Sequence, residues 1–261
     1  MKLREIAQSG VRVSPLGLGT VKLGRNEGVK YPRAFALPDD KQAAAILARA
    51  RELGINLLDT APAYGTSEQR LGGLLGGQRQ HWVVCTKVGG EFDHGQSHFD
   101  FSPEHIVYSV ERSLQRLRTD YLDLVLVHSN GEDSHIIKHY GALELLAALK
   151  QAGKIRAFGM STKTVEGGIL AAANSDCVMV TYNLDYREEA AVLDYCAQHG
   201  KGVLIKKALG SGHLSNTEPN PVLANLRFIF QHDAVSSAVL GTINLHHLAD
   251  NVSSYKQAIL P

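Results

Sequence analysis

Between residues 56 and 128 the chain reads NLLD (56–59), a helical pattern over 67–75, WVVCTK (82–87), a second helical pattern over 103–117, and YLDLVLVH (121–128). Short apolar runs that alternate with longer helical patterns spell βαβ units and a parallel sheet. Each run ends at, or just before, a chemically equipped side chain. These are Asp59, with Tyr64 in the loop after it, then Lys87 and His128. In a closed parallel barrel the C-terminal strand ends converge on one mouth, where such barrels keep their chemistry.

The same alternation continues in both directions. The opening LREIAQSGVRVS predicts two short strands around Ser9–Gly10, a hairpin turn signal. PLGLGT follows as a small-residue strand. Further helical patterns fall at 39–53, 141–152, 165–173, 188–199, 221–231 and 245–259, separated by IRAFGMS, CVMVTY, GVLIKK and SSAVLG. Gly54, Gly153 and Gly200 stand where a helix ends, and Pro103 after Ser102 and Pro221 after Asn220 stand where one begins. The expected fold is α/β, a (β/α)8 TIM barrel over residues 1–261 as a single domain, with the N-terminal β-hairpin closing the bottom. A doubly wound open sheet is the rival.

Bulk properties narrow the function classes. Lys plus Arg number 27 against 26 Asp plus Glu, a formal net charge of +1, which offers no basic field for nucleic acid and no polybasic membrane anchor. No apolar run reaches the roughly 18–20 residues that span a bilayer, and MKLREIAQSG lacks the apolar core of a secretory signal. Cys85, Cys177 and Cys196 are odd in number without CxxC spacing, so a reduced, cytoplasmic setting is expected. His94 and His98 are spaced histidines, but nothing gathers ligands around them and no metal is assigned.

Taken singly, the four strand-end residues have plain readings: a helix cap, a solvated tip, a backbone partner, a loop aromatic. Together, at the ends of successive strands, they suit the movement of one proton. A phenol has a pKa near 10; a neighbouring ammonium favours the phenolate, and Asp59 can pair with that ammonium and orient it. Tyr64 can then exchange a proton with a carbonyl oxygen, and His128 can hydrogen-bond the same oxygen.

The block NLLDTAPAYGTSEQRLG with VVCTKVG and DYLDLVLVH resembles the signature of the aldo-keto reductase superfamily, and the resemblance runs from GLGT (17–20) to HLADNV (247–252). It implies carbonyl–alcohol interconversion with a nicotinamide cofactor bound extended in a barrel. In that pattern Tyr64 matches the general acid/base, Lys87 and Asp59 tune it, and His128 orients the substrate. Gly19 and Thr20 match the turn near the nicotinamide ribose. Ser161 and Thr162 match a Ser-Asn pair that holds the carboxamide; Met179 stands where a Gln often completes that site. Lys206 stands where many members carry a stacking aromatic. ALGSGHL (208–214), with Leu209, Gly210, Ser211 and Gly212, resembles the loop that closes over the pyrophosphate. Gly241, Thr242, His247, Asp250 and Asn251 match the adenosine end. Gly241 and His247 replace the Lys and Arg that often grip a 2′-phosphate, yet the family habit favours NADP(H) over NAD(H).

The expected partner is a small-molecule carbonyl or alcohol, with no nucleic acid and no membrane; oligomeric state is left open. SNGEDSH after His128 is short, so the expectation is an open mouth or walls supplied by residues 22–38, a lid or an ordinary loop. Two other classes compete: a nucleotide-binding regulatory or scaffold barrel with little turnover, and a Schiff-base barrel using Lys87.

Overall fold

The computed structural model describes residues 1–213 and 219–260. Its centre is a closed barrel of parallel strands β1 (Leu16–Gly19), β2 (Leu57–Asp59), β3 (Val83–Val88), β4 (Leu122–His128), β5 (Ile155–Ser161), β6 (Cys177–Thr181), β7 (Gly202–Lys206) and β8 (Val235–Leu240). Each strand pairs with the next in sequence, and β8 pairs back onto β1. The open-sheet alternative is excluded.

Successive side chains on a strand point to opposite faces, and here that period separates two cores. Leu57, Cys85, Leu124, Leu126, Ala157, Cys177, Met179 and Leu204 fill the barrel interior with Ile6, Val11 and Val13 of the N-terminal hairpin. Leu58, Val84, Val125, Val127, Val178 and Val203 face the helices. The hairpin, Arg4–Glu5 against Arg12–Val13, therefore plugs the bottom with Ile6 fully buried.

Helix boundaries follow local chemistry. Asp39 and Gln42 form a capping box that starts the helix Asp40–Glu52. Ser102 accepts from the His105 N–H ahead of Pro103, and Asn220 accepts from Leu223 ahead of Pro221. Gly54, Gly153 and Gly200 all take positive φ at helix ends.

Three elements depart from the expectation. GGEFDHGQSHFD folds into a second antiparallel hairpin, Gly90–Asp93 against Gln96–Phe99; its second strand is exposed at every residue, so no apolar alternation marks it. The segment after β4 runs into a helix, Asp133–Tyr140, which Gly141 (φ 61) ends before the helix Ala142–Gln151 begins. A short helix, Val21–Gly24, follows β1. Among the described residues no helix is long and apolar enough to cross a membrane, and Cys85, Cys177 and Cys196 are buried free thiols.

Candidate active site

Strand periodicity assembles the mouth. Asp59, Lys87 and His128 each lie two residues beyond an inward-facing core residue, Leu57, Cys85 and Leu126, so all three also point inward at the C-terminal end. Lys87 is 1% exposed and Asp59 4%, which makes their pairing obligatory. Lys87 Nζ donates to Asp59 Oδ1 at 2.5 Å and to the Thr60 carbonyl at 2.9 Å. Thr20 braces the end of β2: its hydroxyl donates to the Asp59 backbone carbonyl and accepts from Ser67.

Tyr64 closes a single turn, Pro62–Tyr64. A Cβ on Gly65 would sit 2.2 Å from the Gly24 carbonyl, and one on Gly24 would sit 2.4 Å from the Tyr64 carbonyl. The two glycines thus let the loop press onto the short helix Val21–Gly24 and fix the phenol. Tyr64 Oη donates to Asp59 Oδ2 at a long 3.4 Å, and its ring centre lies 4.7 Å from Lys87 Nζ.

The electrostatics revise one expectation. Burial pushes the Tyr64 phenol above its ordinary 10.0, Asp59 adds to the rise, and Lys87 only opposes it. The resting group is therefore a neutral phenol. Burial would lower Lys87, but Asp59 and Tyr64 outweigh it and hold the ammonium charged. His128 is held well below 6.5, by burial first and then by Lys87 and Lys206, so the imidazole is neutral.

The His128 tautomer follows from packing. Nδ1 is buried without a hydrogen-bond partner, against Gly90, where a Cβ would lie 2.9 Å from it. An N–H with no acceptor costs more than a lone pair facing a carbon. The proton belongs on Nε2, which makes that atom a donor toward the mouth. Tyr64 and His128 meet edge to face, with ring centres 6.3 Å apart.

Asp59, Tyr64, Lys87 and His128 line one cavity of about 1270 Å³, larger than a typical drug-sized pocket and suited to an extended ligand. Gly19, Ser161, Thr162, Lys206, Leu209, Gly210, Ser211, Gly212, Gly241, Thr242, His247, Asp250 and Asn251 line the same cavity. Thr20 does not; its hydroxyl is spent on Asp59 and Ser67. Leu214 lies outside the described residues.

Lys206 Nζ donates to Ser161 Oγ at 3.0 Å and to the Thr162 carbonyl, and burial lowers its pKa to about 8. The Thr162 hydroxyl has no partner and lies 3.4 Å from where a Gly168 Cβ would be, beside the helix Val165–Ala173. The Gly210 and Gly212 N–H groups are given to the Lys207 and Leu209 carbonyls, so the turn offers fewer free donors than its glycines suggest. Residues 22–38 do cross the mouth: Pro32 lies against Gly212 and the Tyr31 hydroxyl against Gly241.

A family model, the aldo/keto reductase family, matches residues 15–225. The chain belongs to this family. Aldo-keto reductases are in general NAD(P)-dependent carbonyl reductases. A Pseudomonas aeruginosa structure assigned as an aldo-keto reductase is 52% identical, with TM-score 0.90, covering 99% of this chain and 96% of that one. The aldo-keto reductase AKR11C1 of Bacillus halodurans, in its holo form, is 27% identical with TM-score 0.81 over 99% and 95%. Aldo-keto reductase YhdN of Bacillus subtilis is 32% identical over 82% of this chain and 64% of its own. The NADH-specific methylglyoxal reductase of Escherichia coli is 30% identical over 83% and 70%. This aldo-keto reductase is accordingly an oxidoreductase acting on small molecules.

Sequence reading missed several walls of the cavity. Gly90, Ser97 and Phe99 come from the unforeseen hairpin, and Glu189 from the segment after β6. Glu189 accepts from the Thr181 N–H at 2.8 Å, while its Oε1 is buried without a partner. His94 and His98 are exposed and stand outside the cavity.

Proposed function

We propose that this aldo-keto reductase interconverts an aldehyde, ketone or sugar carbonyl with the alcohol, using NADP(H) in preference to NAD(H). The observation that supports it most is the buried Lys87–Asp59 pair beneath a neutral Tyr64 phenol, with the His128 Nε2 side opening on the same cavity.

The cavity fits an extended dinucleotide: it runs from Asp59 and Ser161 past Leu209–Gly212 to Thr242 and Asn251. When bound, the nicotinamide supplies a hydride to the carbonyl carbon. The Nε2–H of His128 and the hydroxyl of Tyr64 both donate to the carbonyl oxygen and hold it in place. As negative charge grows there, Tyr64 releases its proton to it, and Lys87, fixed by Asp59, offsets the charge left on the phenolate. In the reverse direction the phenolate accepts that proton.

In this reading Gly19, Asp59, Ser161 and Lys206 hold the nicotinamide end; Leu209, Gly210, Ser211 and Gly212 meet the pyrophosphate; and Gly241, Thr242, His247, Asp250 and Asn251 hold the adenosine end. Arg33 and His247 line the cavity and can meet a 2′-phosphate; the preference for NADP(H) itself follows the family habit.

Lys206 motivates a second reading. Its ammonium occupies the Ser161 hydroxyl and Met179 offers no amide, as in a nucleotide-binding barrel with little turnover. Following reduced-cofactor absorbance with NADPH or NADH and a panel of aldehydes, ketones and sugars separates the two. Turnover supports the reductase, and nucleotide binding without turnover supports the regulatory barrel. Tighter binding of NADH than NADPH would remove the preference stated here.

A further inference from the structure

The walls around Tyr64 and His128 carry more positive charge than proton transfer uses. The charges that bear most on His128 are cations: Lys87, Lys206, Lys163 and Arg25. Three of them are occupied. Lys87 is neutralised by Asp59, and Lys206 is tethered to Ser161 and Thr162. The Arg25 guanidinium is spent on the Glu27, Gly28 and Ala63 carbonyls and stacks on the Phe92 ring.

Lys163 is different. It stands two residues beyond the end of β5, where its own backbone N–H is anchored on Asp133 at 2.8 Å. Its Nζ lies 5.9 Å from the centre of the Phe99 ring, and that ring meets His128 edge to face at 6.4 Å. The ammonium forms no ion pair among the described residues. Lys30, on the loop crossing the mouth, lines the same cavity and its charge reaches Lys163.

Two carboxylates on this wall already have partners, although the charge of Asp133 still reaches Lys163. Glu91 is held by Arg112 and His105. Asp133 accepts from Ser129, from the Lys163 and Thr164 N–H groups and from the Thr164 hydroxyl. Two unpaired ammonium groups facing one half-enclosed space repel each other, and an anion placed between them relieves that repulsion.

We propose that the substrates of this enzyme carry an anionic group, a carboxylate or a phosphate, close to the reacting carbonyl, and that Lys163 with Lys30 binds it. The inference rests on the reductase reading above. Phe99 would cover the carbon skeleton between the anion and the carbonyl held by Tyr64 and His128.

The test compares matched pairs: succinic semialdehyde against butanal for a carboxylate, and glyceraldehyde 3-phosphate against glyceraldehyde for a phosphate. The charged member of at least one pair should have the higher kcat/KM by about tenfold or more, and the pair that shows it names the anion. Lys163→Met should cut that ratio about tenfold, Lys163→Arg should largely keep it, and added salt should lower it in the wild type. Equal kcat/KM within both pairs, or a ratio untouched by Lys163→Met, would overturn the proposal while leaving the reductase reading intact. If no carbonyl is turned over, the reductase reading fails, and calorimetric titration with succinate and inorganic phosphate decides the site. Binding lost in Lys163→Met supports it; no binding overturns it.

Discussion

Gly90 touches His128 so closely that a Cβ there would lie 2.9 Å from Nδ1 and 3.2 Å from Cγ. The hairpin after β3 therefore sets the plane of the imidazole and covers its buried nitrogen. Gly90→Ala should turn the ring away from the carbonyl position and lower kcat/KM by about tenfold or more, about 1.4 kcal/mol of barrier. Nucleotide affinity should hardly change. Steady-state kinetics with a parallel nucleotide titration checks both halves.

The Lys87–Asp59 pair supports the fold as well as the site. Lys87→Met leaves a carboxylate with 4% exposure and no cation. Its cost should be about 3–5 kcal/mol of unfolding free energy by urea titration. Adding Asp59→Asn should recover part of that loss, because the neutral amide no longer needs the cation.

Tyr64 is raised above 10.0 and His128 lowered below 6.5, so neither titrates between those values. Reductive kcat/KM should show no inflection from either group across neutral pH. Lys206, in the same cavity, does titrate there, at about 8. As pH rises through that value its amine loses positive charge, so the oxidised, positively charged nicotinamide should bind more tightly. Lys206→Met should flatten that pH dependence in a binding titration.

Most of the barrel was legible because strands and helices declare themselves by period, and because Gly, Pro and Ser mark their ends. Helix limits at 103–117 and 165–173 were read without error. The meeting of Asp59, Lys87 and His128 at one mouth was legible too, since each ends a run whose period also points it inward.

What stayed hidden depends on contacts between distant segments. The hairpin Gly90–Phe99 has a solvent-facing strand and a His94-Gly95 turn, so it reads as a polar loop, and Gly90 gains meaning only beside His128. The sign of the Tyr64 shift was also out of reach: a neighbouring lysine lowers a phenol pKa while burial and a neighbouring carboxylate raise it, and only packing decides which wins. Thr20 looked like a ribose contact, but Ser67 and Asp59 claim its hydroxyl from the other side.

Tyr31 reaches across the mouth to Gly241 while Lys22 Nζ sits 4.0 Å from the centre of its ring. If this crossing loop holds the dinucleotide, Tyr31→Ala should weaken nucleotide binding several-fold and speed its release, with little effect on thermal stability. Stopped-flow release of the reduced cofactor, alongside a melting curve, reads both.

Replacing the phenol alone tests the account most directly. Tyr64→Phe keeps the ring over Lys87 and removes only the hydroxyl. With a carbonyl that the wild type reduces, turnover should fall by about 10²–10⁴ while nucleotide affinity stays within about twofold. Unchanged turnover in that variant would contradict Tyr64 as the proton donor, and with it the chemistry assigned to this mouth.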